Sequence, residues 1–448
     1  MKTFDLIVIG SGAGLNVASA AVERGLSVAV VEDGPLGGTC LNRGCIPSKI
    51  VIHSAEVAET IRRAKEFGLQ ASLQHVNFKF VTDRANKTVD ADARNIEKGV
   101  RSTSKETLFK GKGRFIDKHT IRVAGKTIRG KKIVIAAGAR PFIPPIEGLD
   151  EVPYMTSTEA LRQTKLPKSL VIIGGGYIGV ELGHFYSALG CKVTIIQRGP
   201  LLVPREDKEV AGLITKLWEN KILLNASATK VQKKGKNVLV TVKIGNKTRK
   251  ITGEKLLVAT GVVPNSDTLD LEKAGIKTDK RGFIKVDKYM RTNVRNIWAL
   301  GDIAGIYLFR HSANLEADYV TNNILSRKKA VDYYPMPHAV FTSPQIAGVG
   351  LTEQECLEQK KKYTVGKAYY KNTGKGLALN EKHGFVKILA DKDEILGCHI
   401  IGPEASILLH EVLIAMKASR KKALKILRNT VHVHPALNEV VQRAAYRS

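Results

Sequence analysis

The stretch Phe4-Asp5-Leu6-Ile7-Val8-Ile9-Gly10-Ser11-Gly12-Ala13-Gly14 decides the fold. Its apolar run, Leu6 to Ile9, has the length of a buried strand and enters glycines directly, and a helical pattern follows from Asn16 to Arg24. A second strand, Ser27 to Val31, ends on Glu32. Strand, glycine turn, helix, strand and acid in that order set backbone N–H groups and a helix N-terminus against a pyrophosphate, with the acid placed for a ribose hydroxyl. Leu15 stands where a third glycine would let helix and strand approach closely. A tight turn without a ligand is the competing reading of one such motif.

The unit recurs. Ser169-Leu170-Val171-Ile172-Ile173-Gly174-Gly175-Gly176-Tyr177-Ile178-Gly179 has glycine at all three required positions, Gly174, Gly176 and Gly179, then a helical pattern to Leu189 and a strand from Lys192 to Ile196. Two such units imply two dinucleotides, and a flavin with a nicotinamide cofactor is the pair that exchanges hydride. Closing strands run from Ile133 to Ala139 and from Leu256 to Gly261, and the prolines that follow, Pro141 and Pro264, mark crossings between domains. Between each fingerprint and its closing strand lies a lysine-rich stretch of alternating character. In the second of these, Val238, Val240, Val242 and Ile244 alternate with Leu239, Thr241 and Lys243, as in a meander with one wet face. After Asn296-Ile297-Trp298-Ala299-Leu300-Gly301-Asp302 a helical segment runs toward Leu325, and residues 331–448 read as strands, then helices, with no glycine fingerprint. The expected architecture is α/β: two Rossmann-like dinucleotide-binding domains, the first from residues 1–145 and 265–330 and the second from 146–264, plus a C-terminal α+β domain over 331–448.

Composition narrows the function classes. The chain has 448 residues, of which 43% are hydrophobic, enough for several cores and too many for intrinsic disorder. Only 6% are aromatic, which argues against an aromatic-rich binding surface. Lys and Arg number 71 against 42 Asp and Glu, a formal charge of +29, so a nucleic-acid-binding role is the competing class from outside enzymology. Residues 101–150 and 201–250 each hold 12 basic and 4 acidic side chains, so these two windows carry 16 of the 29 excess charges. Five cysteines do not make a secreted disulfide framework, and no apolar run approaches a membrane span, so a cytoplasmic protein is expected.

Only Cys40 and Cys45 are close in sequence, in Gly37-Gly38-Thr39-Cys40-Leu41-Asn42-Arg43-Gly44-Cys45-Ile46-Pro47-Ser48-Lys49. A C-x4-C pair entering a helix sets a sulfur near the helix's positive end, which stabilises a thiolate. The short ring limits the geometry of a bridge and favours a labile disulfide over a structural one. Half a zinc site or two packed thiols are the bland alternatives; zinc lacks a second cysteine pair here.

With these motifs, and with His432-Val433-His434-Pro435-Ala436-Leu437-Asn438-Glu439 near the end, the chain resembles the class I pyridine nucleotide-disulfide oxidoreductases over essentially its whole length. That family includes dihydrolipoamide dehydrogenase, glutathione reductase, mercuric reductase and mycothione reductase. The resemblance implies a homodimer that passes electrons between NAD(P)(H), FAD, a Cys40–Cys45 redox disulfide and a substrate dithiol or disulfide. Cys45 would face the flavin as the charge-transfer thiolate and Cys40 would be the interchange thiol. Lys49 would lie beside the flavin and pair with Glu181. Gly10, Gly12, Gly14, Glu32, Gly38, Thr39, Gly138, Gly301 and Asp302 would bind FAD, with Asp302 on the ribityl chain. Gly174, Gly176, Tyr177, Gly179, Gln197, Arg198 and Gly261 would bind NAD(P), with Tyr177 as the gate over the nicotinamide pocket. His434 would act as base on the partner subunit's dithiol, oriented by Glu439, while His432 points the other way and is structural. No metal site is expected.

In dihydrolipoamide dehydrogenases the strand after the second fingerprint ends on an acid for the NAD ribose, whereas this chain has Gln197 followed by Arg198. Loss of the acid removes repulsion against a 2′-phosphate, which Arg198 and Arg205 could bind, so the cofactor expectation leans to NADP. The ending Ala444-Ala445-Tyr446-Arg447-Ser448 lacks the cysteine pair of mercuric reductase, and the stretch His311-Ser312-Ala313-Asn314-Leu315-Glu316-Ala317 looks more like mycothione reductase. The substrate expectation is dihydrolipoamide, with a small disulfide as the alternative, and the partner expectation includes a lipoyl-bearing complex.

Overall fold

Strand Lys2–Ile9 lies inside a sheet, parallel on one side to Val28–Glu32 and on the other to Lys126–Ile135. Leu6, Ile7 and Val8 are fully buried, because a parallel strand covered on both faces must be apolar at every position. Leu6 and Val8 pack into one layer with Val17 and Ala21 of helix Gly14–Glu23 and Ala317 and Val320 of helix Arg310–Leu325. Phe4, Ile7 and Ile9 pack into the other, with Phe115, Ile121 and Ile133. Burying each such side chain contributes about 1.5–3 kcal/mol.

The computed structural model describes residues 1–448. They form two compact units, Met1–Ile50 with Phe80–Phe142 and Gly261–Tyr333, and Val51–Lys79 with Ile143–Thr260 and Tyr334–Ser448. In the first unit the seven-stranded sheet runs Glu106–Lys110, Val28–Glu32, Lys2–Ile9, Lys126–Ile135, Thr120–Val123, Arg114–Phe115, and Ile297–Ala299 also pairs with Lys126–Ile135 in parallel. Strands Ala139–Pro141 and Val262–Pro264 pair antiparallel, Val262 opposite Pro141, where the chain leaves and re-enters this unit.

The second unit contains a parallel sheet in the order Lys221–Leu223, Lys192–Ile196, Ser169–Ile173, Lys255–Val258. Its meander is the antiparallel trio Ala226–Lys234, Asn237–Ile244, Lys247–Gly253, with Val238, Val240 and Val242 buried and Lys243 exposed, as the alternation required. The C-terminal part is a five-stranded antiparallel sheet covered by helices Ala405–Ala418, Ala423–Asn429 and Glu439–Arg447 around Val386, Ile388, Cys398, Leu409, Val412 and Val440.

One expectation is corrected. The first lysine-rich stretch is not mainly alternating: helices Cys45–Arg63 and Phe78–Ser102 fill most of it before the strands begin at Glu106. In the longer helix Phe78, Thr82, Ala85, Val89, Ala93 and Val100 are buried, a spacing of three, four and seven that belongs to a helix face. No helix is long and apolar enough to cross a membrane.

The unexpected Leu15 has a local solution. Helix Gly14–Glu23 begins so that a Cβ on Gly14 would lie 2.8 Å from Val8 Cγ1 and 2.9 Å from Ala136 Cβ. Gly14 therefore makes the close helix-to-strand approach, and Leu15 is half-buried against the helical layer. In the second fingerprint the third glycine is indispensable, since a Cβ on Gly179 would sit 2.0 Å from the Gly174 carbonyl oxygen.

Candidate active site

Parallel register brings the residues expected to bind FAD in the first unit to one edge. Ile9 pairs with Val31 and Ile135, and Ile135 with Ala299, so Gly10, Glu32, Ala136 and Leu300 follow the carboxyl ends of adjacent strands, where ligands of α/β sheets bind. Gly10 has φ +101° and a Cβ there would meet the Ala136 carbonyl oxygen at 2.2 Å; Gly38 has φ +70° and its Cβ would meet Gly12 Cα at 2.6 Å. Glu32 braces the loop: Oε2 accepts from the Ser11 N–H (2.9 Å) and hydroxyl (2.6 Å), and Oε1 from the Gly34 N–H (2.8 Å). Gly138 lies in the same loop set, and its carbonyl accepts from the Asn265 N–H at 3.1 Å.

Asp302 is half-buried and accepts no hydrogen bond from the protein, and burial pushes its carboxyl up to about 6. Beside it Glu316, fully buried, takes the Gly301 N–H on Oε2 (2.5 Å) and the Tyr333 hydroxyl on Oε1 (2.8 Å), and burial raises it to about 7. An unpartnered acid next to glycine loops too tight for side chains fits FAD, whose ribityl and ribose hydroxyls donate and whose pyrophosphate needs backbone N–H groups.

Cys40 lies in the short helix Gly38–Arg43, and Cys45 is the first residue of helix Cys45–Arg63. Pro47 in that helix's first turn costs nothing, since N–H groups there have no intrahelical partner. Asn42, buried, ties the turn with Nδ2 donating to the carbonyls of Pro35 (3.2 Å), Leu36 (2.9 Å) and Gly38 (3.0 Å). Both thiols are free. The Cys45 S–H donates to Cys40, and this first, opposed by burial and then helped by Arg310, the Cys45 backbone N–H and Lys49, brings Cys40 down to about 7. The same bond raises Cys45. The two thiols share one hydrogen bond, so the reduced pair holds a thiolate more readily than an isolated cysteine does. Lys49 Nζ also donates to Ser48 Oγ (3.4 Å). In the reduced protein, alkylation of Cys40 by iodoacetamide is expected to rise with pH about a midpoint near 7, read by peptide mass analysis, and Cys45→Ala should move that midpoint up toward about 8.5, the ordinary thiol value.

The second unit repeats the edge. Ile173 pairs with Ile196 and Val258, placing Gly174, Gln197 and Ala259 side by side. Gln197 is buried, with Oε1 accepting from the Gly175 N–H (2.9 Å) and Nε2 donating to the Leu201 carbonyl (3.2 Å). It is the neutral counterpart of Glu32, and its amide is turned to the loop. Arg198 and Arg205 are exposed. No atom lies within 4 Å of a Cβ built on Gly176 or Gly261, and helix Tyr177–Ala188 starts on Gly176 with no side-chain cap, which leaves N–H groups for a dinucleotide phosphate. Glu181 Oε1 accepts from the Phe341 N–H at 2.9 Å.

Also in the second unit, His434 Nδ1 meets Glu439 Oε1 at 2.9 Å, while Glu439 Oε2 accepts from the Ala436 N–H at 3.2 Å. Glu439 is held below the usual carboxylate range, first by His434. The His434 side chain is 74% exposed. His432 is buried instead, its Nδ1 on the Thr430 carbonyl (2.9 Å) and its Nε2 3.2 Å from Glu411. Arg310, Glu316, Glu206 and His338 were not anticipated; each acts through partners distant in the chain, and no local motif marks it.

Two glycine loops at the carboxyl edges of parallel sheets, a thiol pair entering a helix and an exposed histidine held by a buried acid define a dinucleotide-dependent dithiol oxidoreductase. Residues 4–332 match the pyridine nucleotide-disulphide oxidoreductase model and residues 336–445 its dimerisation domain. The chain belongs to the pyridine nucleotide-disulfide oxidoreductase family, FAD-dependent enzymes that use NAD(P)H. It is 35% identical to the dihydrolipoyl dehydrogenase of Geobacillus stearothermophilus, covering 98% of this chain and 95% of that one. It is 36% identical to the mycothione reductase of Mycobacterium tuberculosis, with 99% of each covered. Among solved structures, the Cu(II) complex of the HOCl-induced flavoprotein disulfide reductase RclA from Escherichia coli superposes with a TM-score of 0.90 at 28% identity, covering 100% of both chains.

Proposed function

We propose that this enzyme is a dihydrolipoamide dehydrogenase-type oxidoreductase with an NADPH-leaning nicotinamide site, acting as a homodimer in which His434 serves the dithiol of the other subunit. The free thiols of Cys40 and Cys45, hydrogen-bonded to each other where helix Cys45–Arg63 begins, carry the reading. Residues 1–145 and 265–330 hold FAD, 146–264 hold NAD(P), and 331–448 form the interface. FAD, when bound, supplies the two-electron relay between nicotinamide and dithiol. In the reducing direction the Cys40 thiolate attacks one sulfur of a substrate disulfide, the other sulfur leaves as a thiolate, and His434 gives it a proton. Cys45 then attacks Cys40 in the mixed disulfide, which releases the second substrate thiol and closes the Cys40–Cys45 disulfide. Dihydrolipoamide oxidation runs the same steps backward. Lys49 stabilises negative charge at the flavin edge.

The shared site is supported by the match to a dimerisation domain and by an apolar surface near His434, with Val431 95% and Val433 72% exposed. The cofactor reading is supported by Gln197, whose neutral amide leaves no anion at the strand end, and by the exposed Arg198 and Arg205. Steady-state kcat/KM for lipoamide and for small disulfides, each with NADH and NADPH, tests both halves; negligible lipoamide turnover with either cofactor rejects the first. Glu32 shows that such a loop accepts a carboxylate at this position, so Gln197→Glu is expected to lower the NADPH-to-NADH preference about tenfold or more through repulsion of the 2′-phosphate. Reduction of a small disulfide is the second reading, favoured by the equally similar mycothione reductase.

A further inference from the structure

We infer that Glu206 is a positioning residue for nicotinamide entry: with His338 it latches the Tyr177 ring, which cannot swing until a buried hydrogen bond is broken. The inference rests on the proposed reading of Tyr177 as gate. Tyr177 opens helix Tyr177–Ala188 at the second glycine loop. Its hydroxyl donates to Glu206 Oε1, and His338 Nε2 lies 2.9 Å from Glu206 Oε2. The Tyr177 and His338 rings stack with centroids 6.5 Å apart and planes at 15°. Glu206 is 1% exposed. Burial alone would raise it, but His338 and Tyr177 outweigh burial and hold it below the usual range, so it is a carboxylate that can only accept. Tyr177 is correspondingly raised, by burial and then by Glu206, and keeps its proton as the donor.

The latch has a rigid base, so Glu206 does not follow the ring. The next residue, Asp207, caps helix Lys208–Leu217 by accepting from the Glu209 N–H at 3.0 Å. Lys387 Nζ donates to both Asp207 oxygens, at 3.0 and 3.1 Å, and to Glu353 Oε2 at 2.6 Å. Asp207 also accepts from the Glu353 N–H at 3.1 Å, and Gln354 Nε2 donates to the Glu206 carbonyl at 2.8 Å. Lys387 and Asp207 are fully buried. A charge-assisted bond shielded from water is stronger than a neutral exposed one, and breaking it strips a buried carboxylate of one of its two partners. The closed ring is therefore favoured until nicotinamide displaces it.

The test uses the FAD-loaded enzyme and calorimetric Kd values for NADP+ and NAD+, with flavin content, thermal midpoint and Cys40 alkylation as controls. Tyr177→Phe keeps the ring and removes the donor, and is expected to tighten binding about tenfold. Glu206→Gln is expected to tighten it roughly three- to tenfold, and the double variant no further than Tyr177→Phe alone, because both remove one bond. Glu206→Asp, which keeps the charge and withdraws it by one methylene, gives the same readout should the glutamine variant fold poorly. Unchanged binding in Tyr177→Phe rejects the gate itself. Tighter binding in Tyr177→Phe with none in the Glu206 variants, additive effects, or weaker binding in any of them overturns the latch.

Discussion

Cys40→Ser is expected to lower kcat/KM for disulfide or dihydrolipoamide turnover by about four orders of magnitude or more, roughly 5.5 kcal/mol of transition-state stabilisation. A serine hydroxyl stays protonated where the Cys40 thiol, at about 7, ionises, and an oxygen cannot complete a bridge to Cys45, so both attack and ring closure are lost. Flavin binding should survive. Glu32 is held by its bonds to Ser11 and Gly34, Gly10 lies against the Ala136 carbonyl and Asp302 follows strand Ile297–Ala299, and none depends on the thiol. The expected result is a yellow protein that reduces an artificial acceptor taking electrons directly from flavin at near the wild-type rate and is inert toward lipoamide and small disulfides. Disulfide turnover within tenfold of wild type would reject the dithiol as the exchanging group.

The parts legible in the sequence are those whose cause is local. A strand buried on both faces has to be apolar throughout, a glycine with φ near +101° has to be glycine, and the alternation at Val238, Val240 and Val242 reports one wet face. The two thiols were legible for the same reason, being five residues apart at a helix start. Helix Phe78–Ser102 is hidden because lysines and arginines lie between its apolar positions and mask the spacing of three and four that marks its buried face. Leu15 looked like a defect, yet the chain moves the close approach to Gly14, a substitution of one contact for another that only the packed helix reveals. Arg310 beside Cys40, Glu316 under Gly301 and the pair Glu206 with His338 join residues separated by 15 to 270 positions, and nothing within a local window encodes such a partner.

The net charge separates in the same way. Residues 226–253, the meander, carry eight Lys and Arg and no Asp or Glu, with Lys230 paired to Glu147. Residues 1–50, holding the first glycine loop and the dithiol, have four basic and four acidic side chains, so the basicity is not what lowers Cys40. That shift comes from one thiol donor first, and only then from Arg310 and Lys49. A field of this sign can still raise encounter rates with anionic ligands, but it does not choose the chemistry.

His434→Gln is expected to lower kcat/KM by about 10²- to 10⁴-fold, the usual contribution of a positioned general acid–base, with Cys40 alkylation and flavin content unchanged. Glu439 is the first residue of helix Glu439–Arg447 and is buried, with one oxygen on the Ala436 N–H and the other on His434 Nδ1. Being held ionised, it accepts a hydrogen bond from Nδ1–H, which fixes the tautomer and leaves Nε2 for exchange with the substrate sulfur. Glu439→Gln should cost less, because the amide oxygen can still accept from Nδ1. The stronger test exploits symmetry. In a dimer whose sites are each built from two subunits, a heterodimer of one Cys40→Ser chain and one His434→Gln chain retains one complete site: the dithiol of the second with the histidine of the first. Co-expression at equal levels gives about half heterodimers with one working site in two, hence roughly a quarter of wild-type activity, although each variant alone is nearly inert. If His434 served its own chain's dithiol, every site in the heterodimer would be broken and mixing would restore nothing. Separating the mixed dimer with two affinity tags and assaying it alone measures this, and activity no higher than that of the parent variants would overturn the shared site.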